Sequence, residues 1–317
     1  GRDIKTLNRD KKILNQDGIY FHVDENDMTN MWYLIIGPKG TPYENGYYLI
    51  HLKFNESYPY KPPAGKFLTQ DSRKKTRIHP NLYPGGKICL SILGTWSGPA
   101  WTPILDAKAI GLTIQSIMDD NPLTNEPGYE KGPKTHPNHV LYSDIVKFEN
   151  IQYPVLDQLE MFYKNEKISE HPLYPFGEMM HRKFLENYSG FLKRIEELRA
   201  KEYEGQTKTS PCYGIETTFK LDDLQKRLEE MKPKVEAWLS ELESKNQEKE
   251  ELKTKSNSEE KSDNLSEPIV LVEPEEDEWT VVEKKKPKIK AEKEVNTKKL
   301  KHHKNKKPFY NKGVKVN

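Results

Sequence analysis

Cysteine is nearly absent: the 317 residues hold two, Cys89 and Cys212. Two thiols make no disulfide framework. That scarcity fits a reducing compartment, where an isolated thiol can serve as a nucleophile. Long apolar runs are missing too. No stretch approaches the roughly 20 apolar residues of a membrane span, and the start carries no apolar run of the signal-peptide kind. Gly1 stands in place of Met, which suggests trimming or an artificial boundary. These absences predict a soluble protein of the cytoplasm or nucleus. Apolar content is low as well. With 34% hydrophobic and 32% charged residues, part of the chain is expected to lack a core. The net charge of only +2 hides a local excess: beyond Val281 fourteen lysines face three glutamates, a charge of 14 − 3 = +11. There is no internal repeat.

What is present begins as a short helix over Asp3 to Leu14. Trp32, Leu34 and Ile36 then alternate with Tyr33 and Ile35, the period of a strand, and Gly37-Pro38 ends it. Asn45-Gly46 signals a tight turn. Tyr48, Ile50, Leu52 and Phe54 line one face of the next strand, the YPYKPP run from Tyr58 breaks regular structure, and a short strand follows near Gly65 to Thr69. Short strands joined by turns predict an antiparallel meander. Thr102 as N-cap and Pro103 at the first position predict a helix, with Ile110, Ile114 and Ile117 on its buried face and Asn121-Pro122 as its stop. Further on, Met180, Phe184, Tyr188, Phe191, Ile195 and Leu198 keep helical spacing. So do Leu221, Leu224, Leu228, Met231, Val235, Trp238 and Leu242, a stripe expected to pack within the molecule. Pro233 is expected to kink or split that helix.

Cys89 stands out for its surroundings. It lies in HPNLYPGGKICLSILGTW, between sheet and helix, where loops carry function. Gly85-Gly86 permit an irregular backbone. His79-Pro80-Asn81, eight residues upstream of the cysteine at the asparagine, offers a rigid turn and a side-chain amide donor. His79 reads as a structural histidine. With no Cys-His hydrolase partner evident, the chemistry indicated is acyl carriage on a thiol beside an amide-lined oxyanion site. His136-Pro137-Asn138 repeats the tripeptide, but Val146 occupies the eighth position after Asn138, so that copy reads as a turn.

HPN with a cysteine eight residues after the Asn, then CLSIL and Trp-x-Pro, resembles the ubiquitin-conjugating enzyme family. GPKGTPYENGYYLIHLKFNESYPYKPP is similar to its central hairpin and Tyr-Pro-x-x-Pro-Pro corner, and the resemblance covers about Arg2 to Lys147. The long SILGTWSGPAWTP loop, the NPLTNEPGYE run and the helical extension resemble the large subgroup of ubiquitin-conjugating enzyme Z. The resemblance implies an α+β ubiquitin-conjugating fold: a four-stranded antiparallel meander with an N-terminal helix, a central helix and a C-terminal helical extension. Residues 1–150 would form the catalytic domain, 151–243 the extension on or beside it, and 244–317 a disordered charged tail. Cys89 would carry ubiquitin as a thioester, received from an activating enzyme in an ATP-dependent pathway, and pass it to a lysine, usually with a ligase. Asn81 would stabilise the oxyanion or brace the loop, and Tyr83 matches a tyrosine beside the incoming lysine. Anchoring on Pro127 makes Glu126 the acceptor-positioning acid, with Asn125 as the alternative; Ser91 stands where many members carry Asp. Tyr60, Pro103 and Ile104 match the ligase-facing surface, and the residues between Leu93 and Trp101 lie next to it.

Other readings remain open on the sequence: conjugation of another modifier such as SUMO, or a non-catalytic ubiquitin-binding adaptor, against which Cys89 argues. Lysine runs without interleaved aromatics do not favour a nucleic-acid partner. No metal, cofactor or membrane partner is expected. In the tail, Ile269, Val270, Leu271 and Val272 followed by acidic residues resemble a SUMO-interacting motif, which binds by strand addition.

Overall fold

The computed structural model describes residues 1–69 and 77–262, with the backbone alone described over 250–262. Helix α1 (Arg2–Gln16) leads into four strands, β1 (Ile19–Val23), β2 (Asn30–Ile36), β3 (Tyr47–Lys53) and β4 (Ala64–Phe67), hydrogen-bonded antiparallel in the order β1-β2-β3-β4. The register pairs Tyr33 with Ile50 and Ile35 with Tyr48. Strand β1 was not located from the sequence, although Ile, Tyr, Phe and Val there are ordinary strand formers. The Asn45-Gly46 signal closes a longer loop than a two-residue hairpin: Gly37 N–H donates to the Gly46 carbonyl at 2.9 Å, with Pro38 to Asn45 looped out between them. Asn45 takes φ +63°. Gly46 has no alternative, because a Cβ there would lie 2.0 Å from Asn150 Oδ1.

Helix α2 (Ala107–Ile117) begins four residues later than Thr102-Pro103 implies. Its N-cap is Asp106, whose Oδ1 accepts the Ala109 N–H at 2.9 Å. A turn from Thr102 to Leu105 uses the stretch before it (Leu105 N–H to Thr102 carbonyl, 3.0 Å), so the carboxylate of Asp106 takes the helix start. Beyond it come α3 (Pro137–Asn150), a π-helical stretch Ile151–Asp157, α4 (Gln158–Lys164), α5 (Gly177–Arg199), a hairpin of β5 (Thr207–Thr209) and β6 (Glu216–Thr218), and α6 (Leu221–Ser262). The sequence puts the end of the extension at residue 243; α6 runs on to Ser262. It is also unbroken at Pro233. Val235 and Leu239 are buried beyond that proline on the same stripe as Leu228 and Met231, so packing on both sides holds the turn whose hydrogen bond the ring removes.

Both faces of the sheet are covered. Tyr33, Ile35, Tyr48, Ile50 and Leu52 share a core with Leu7 and Leu14 of α1 and Ile110 and Ile114 of α2. Leu34, Ile36, Tyr47 and Leu49, pointing the other way, share a core with Phe148, Phe184, Phe191, Leu224 and Leu228. This is why β2 and β3 read as near-continuous apolar runs rather than strict alternation. Polar bonds pin the same contact. Tyr47 Oη donates to the Met180 carbonyl at 2.8 Å. Arg194, its side chain 12% exposed, donates to the Thr41 carbonyl at 3.0 Å and pairs with Glu44 at 2.8 Å.

Candidate active site

The loop between β4 and α2 is shaped by its own backbone. Gly86 sits at φ +89° and accepts the Phe67 N–H at 2.8 Å, tying the loop to the end of β4. An added Cβ there would be strained by that φ and would press on Lys66 Cγ at 3.0 Å. Tyr83 N–H donates to the Lys87 carbonyl and Gly86 N–H to the Tyr83 carbonyl, both at 2.9 Å. The chain thereby doubles back and sets Cys89 beside Asn81. Cys89 N–H donates to the Asn81 carbonyl at 2.9 Å, and Asn81 Nδ2 donates to the Cys89 carbonyl at 2.7 Å. Cys89 is 2% exposed. Among the described residues no hydrogen bond or ion pair reaches its sulfur.

His79 is wholly buried and fully occupied. Its Nδ1 accepts the Asn81 N–H at 2.9 Å and its Nε2–H donates to the Ile117 carbonyl at 2.7 Å. Burial pushes its pKa down to about 4. A neutral ring with both nitrogens engaged by backbone is no general base for the cysteine; it hangs the loop on the end of α2. The second HPN uses the same local geometry elsewhere: His136 Nδ1 accepts the Asn138 N–H at 3.3 Å as the N-cap of α3.

Downstream of Cys89, Ser91 opens the 3₁₀ turn Ser91–Leu93, and Gly94 follows at φ +68°. Thr95 Oγ1 donates to the Ile88 carbonyl at 2.6 Å and accepts the Leu90 N–H at 2.9 Å, so the long loop is laced to both neighbours of the cysteine. Gly94 to Ala100 are exposed. They leave the expected docking surface open: Tyr60 is 80% and Ile104 78% exposed, and Pro103 is exposed beside it. Trp101 Nε1 donates to the Pro59 carbonyl at 2.7 Å, which joins the two loops that carry these residues.

Tyr83 and Glu126 are linked through residues that sequence reasoning missed. The Arg77 guanidinium carbon lies 3.6 Å from the Tyr83 ring centroid and 3.8 Å from that of Tyr213. Tyr213 Oη donates to the Glu126 carboxylate. Asn125, the alternative acid position, spends its amide on Asp119 Oδ2 at 3.1 Å and on the Pro122 carbonyl at 3.3 Å. The one local signal available for the Tyr213 loop is Gly214, a residue type that marks turns. The segment Ile269 to Val272 lies outside the described residues. Among the described residues no group of three or more His, Cys, Asp or Glu side chains could hold a metal ion, and no helix is long and apolar enough to cross a membrane.

Comparison with known proteins agrees with this geometry. The profile of the ubiquitin-conjugating enzyme family matches residues 2–147. The chain is 41% identical over 144 residues to the ubiquitin-conjugating enzyme E2 Z of Danio rerio, covering 45% of this chain and 43% of that protein. It is 35% identical over 222 residues to its Homo sapiens counterpart, covering 69% of this chain and 58% of that one. The second alignment is longer than the span the family profile matches, so similarity reaches into the helical extension. It is also 31% identical over 199 residues to a dual E2 ubiquitin-conjugating enzyme/E3 ubiquitin-protein ligase of Mus musculus, covering 60% of this chain and 4% of that one. The chain thus spans less than two thirds of the length of these relatives. Over residues 2–147 the chain matches the ubiquitin-conjugating enzyme family.

Proposed function

We propose that this chain is a ubiquitin-conjugating enzyme, a transferase that works through a thioester on Cys89. The observation that carries the reading is the braced cysteine: Cys89 and Asn81 exchange two hydrogen bonds in a family-matched domain. In the first step the Cys89 thiolate attacks the carbonyl of ubiquitin's C-terminus on the activating enzyme, the new C–S bond forms, the old one breaks, and the activating enzyme's own sulfur leaves as the thiolate. That enzyme consumes the ATP. In the second step a neutral substrate amine attacks the Cys89 thioester, the C–N bond forms, and the C–S bond breaks. Cys89 leaves as the thiolate and the amine's proton passes to solvent. Asn81 serves as a strut that holds the cysteine loop while charge gathers on the carbonyl oxygen. Tyr83 and Glu126 face the incoming lysine. Tyr60, Pro103 and Ile104 receive the activating enzyme's successor, a ligase. The protein works in the cytoplasm or nucleus.

The test mixes the full chain with ubiquitin, ATP and candidate activating enzymes on a non-reducing gel. The expected result is a thiol-sensitive band shifted by one ubiquitin. No such band with any activating enzyme, or a band only with another modifier such as SUMO, would displace the reading.

The tail adds a binding function. Ile269 to Val272 add as a strand to the sheet edge of a ubiquitin-like modifier, with Glu273, Glu275, Glu276, Asp277 and Glu278 meeting basic residues beside the groove. Titrating a peptide of Ser266 to Trp279 into SUMO and into ubiquitin, followed by amide shifts, tests this. Saturable shifts along one edge, lost when Val270 and Leu271 become Ala, are expected.

A further inference from the structure

The β5–β6 hairpin belongs to the extension, yet its tip ends against the cysteine loop. Tyr129 Oη donates to the Pro211 carbonyl at 3.0 Å. Cys212 packs on the core that contains Ile88 and Leu90. Tyr213 follows at φ +69°, a left-handed conformation that is an outlier for a bulky side chain. Such backbone persists where its surroundings enforce it, and it clusters at functional sites. Here it presents a ring to the guanidinium of Arg77, which fills the space between the faces of Tyr213 and Tyr83. The guanidinium is held on its other side too, since Arg77 Nη2 donates to the Pro80 carbonyl within the HPN turn. Tyr213 Oη reaches Glu126. One residue of the extension therefore touches Glu126 directly and reaches Tyr83 through the Arg77 guanidinium.

We propose that Tyr213 is a positioning residue for the acceptor lysine: it stacks Arg77 onto Tyr83 and fixes the Glu126 carboxylate, so that the helical extension supplies part of the surface that receives the amine. This rests on the function proposed above. Three consequences follow from the chemistry. One face of Tyr83 is covered, so a lysine stem meets its edge or its other face. Arg77 places a cation there, and Lys87 Nζ adds another 5.5 Å from the Tyr83 centroid; both disfavour an ammonium and favour the neutral amine that attack requires. Glu126, bonded to Tyr213 through one oxygen, keeps acceptor capacity for the amine's N–H. Burial, and then the bond to Glu126, raise the Tyr213 phenol well above its ordinary value, so it remains a neutral donor.

The test charges the 317-residue chain with ubiquitin, removes ATP, and follows discharge to free lysine and, separately, to hydroxylamine. Hydroxylamine has no stem to position and reports intrinsic thioester reactivity. Tyr213→Phe keeps the ring and loses the donor; Tyr213→Ala loses both. Charging is expected at the wild-type rate for each. Lysine discharge is expected to fall about tenfold for Tyr213→Ala and about threefold for Tyr213→Phe, the scale of a lost hydrogen bond to a charged group or less. Hydroxylamine discharge should stay within about twofold for both. Unchanged lysine discharge in both variants overturns the proposal, as does an equal fall with both nucleophiles. If Tyr213→Ala does not fold, Tyr213→Phe decides alone, since it preserves the ring and its packing. Wild-type protein that takes no ubiquitin on Cys89 defeats the proposed function and this inference with it. Normal charging with discharge indifferent to Tyr213 defeats the inference only.

Discussion

Asn81 and Cys89 hold each other by two backbone-anchored hydrogen bonds, one at 2.9 Å and one at 2.7 Å, across eight residues of chain. The asparagine side chain is thus committed as a strut before any substrate arrives. Asn81→Ala leaves the Cys89 carbonyl without its donor, a loss of about 1–3 kcal/mol. Urea unfolding should show that loss, and lysine discharge should fall more than charging. Wild-type stability in the variant would mean that the bond does not brace the loop.

Cys89→Ala should abolish any thiol-sensitive ubiquitin adduct. Cys89→Ser should give an oxyester that survives reducing agent. Cys212→Ala should still form the thioester, because Cys212 sits in the hairpin tip packed against the core, where burial pushes its thiol pKa up. A gel of the three variants with and without reductant distinguishes them. An adduct persisting on Cys89→Ala would move the acceptor elsewhere.

Tyr60 and Ile104 present large apolar surface to solvent on loops joined by the Trp101–Pro59 bond. Tyr60→Ala and Ile104→Glu should charge normally and lose about tenfold or more of the stimulation given by a RING-type ligase, the scale of a docking hot spot. Undiminished stimulation by a functional ligase would shift the contact to the Gly94 to Ala100 loop or to the extension.

Two wholly buried histidines, His79 and His181, set an acid limit on stability. His181 is wholly buried, stacks on Trp238 with centroids 4.0 Å apart, donates from Nδ1 to the Gly177 carbonyl at 2.7 Å and accepts the Tyr163 hydroxyl at Nε2, 2.9 Å away. Burial pushes it down to about 4, as it does His79. In the unfolded chain each takes its proton near 6.5, so the unfolded state binds more protons between those values and stability falls as pH drops through that window. Each histidine should cost about 2 kcal/mol by about pH 5 relative to pH 7. His181→Phe should flatten that part of the decline in urea unfolding measured from pH 7 to pH 4.5. A slope identical to wild type would mean the ring is not held neutral.

The parts of this protein that were legible in its sequence are those written locally. Cys89 and Asn81 lie eight residues apart, and the loop that joins them carries its own turn residues. The stripes of α5 and α6 show in the 3.6-residue period, because burial of one face needs nothing from elsewhere. The start of α2 was misread because Thr102 is a sound local N-cap signal overruled by Asp106, four residues on. Arg77 and Tyr213 went unnoticed for a different reason. Their meeting depends on a hairpin folding back across the domain, with Tyr213 lying 87 positions after Glu126. No periodicity encodes a contact of that span.

The sheet buries both faces, one against α1 and α2 and the other against α3, α5 and α6. The layer that carries the cysteine loop therefore constrains sequence drift in the extension as strongly as in the conjugating domain. A polar replacement at Phe184 or Leu228 would strand apolar area against Leu34 and Tyr47, just as a polar replacement at Leu34 would. Tolerance to substitution in this chain should be lowest along both of those cores, and the end of the family-matched span at residue 147, inside α3, should leave no step in the tolerance profile.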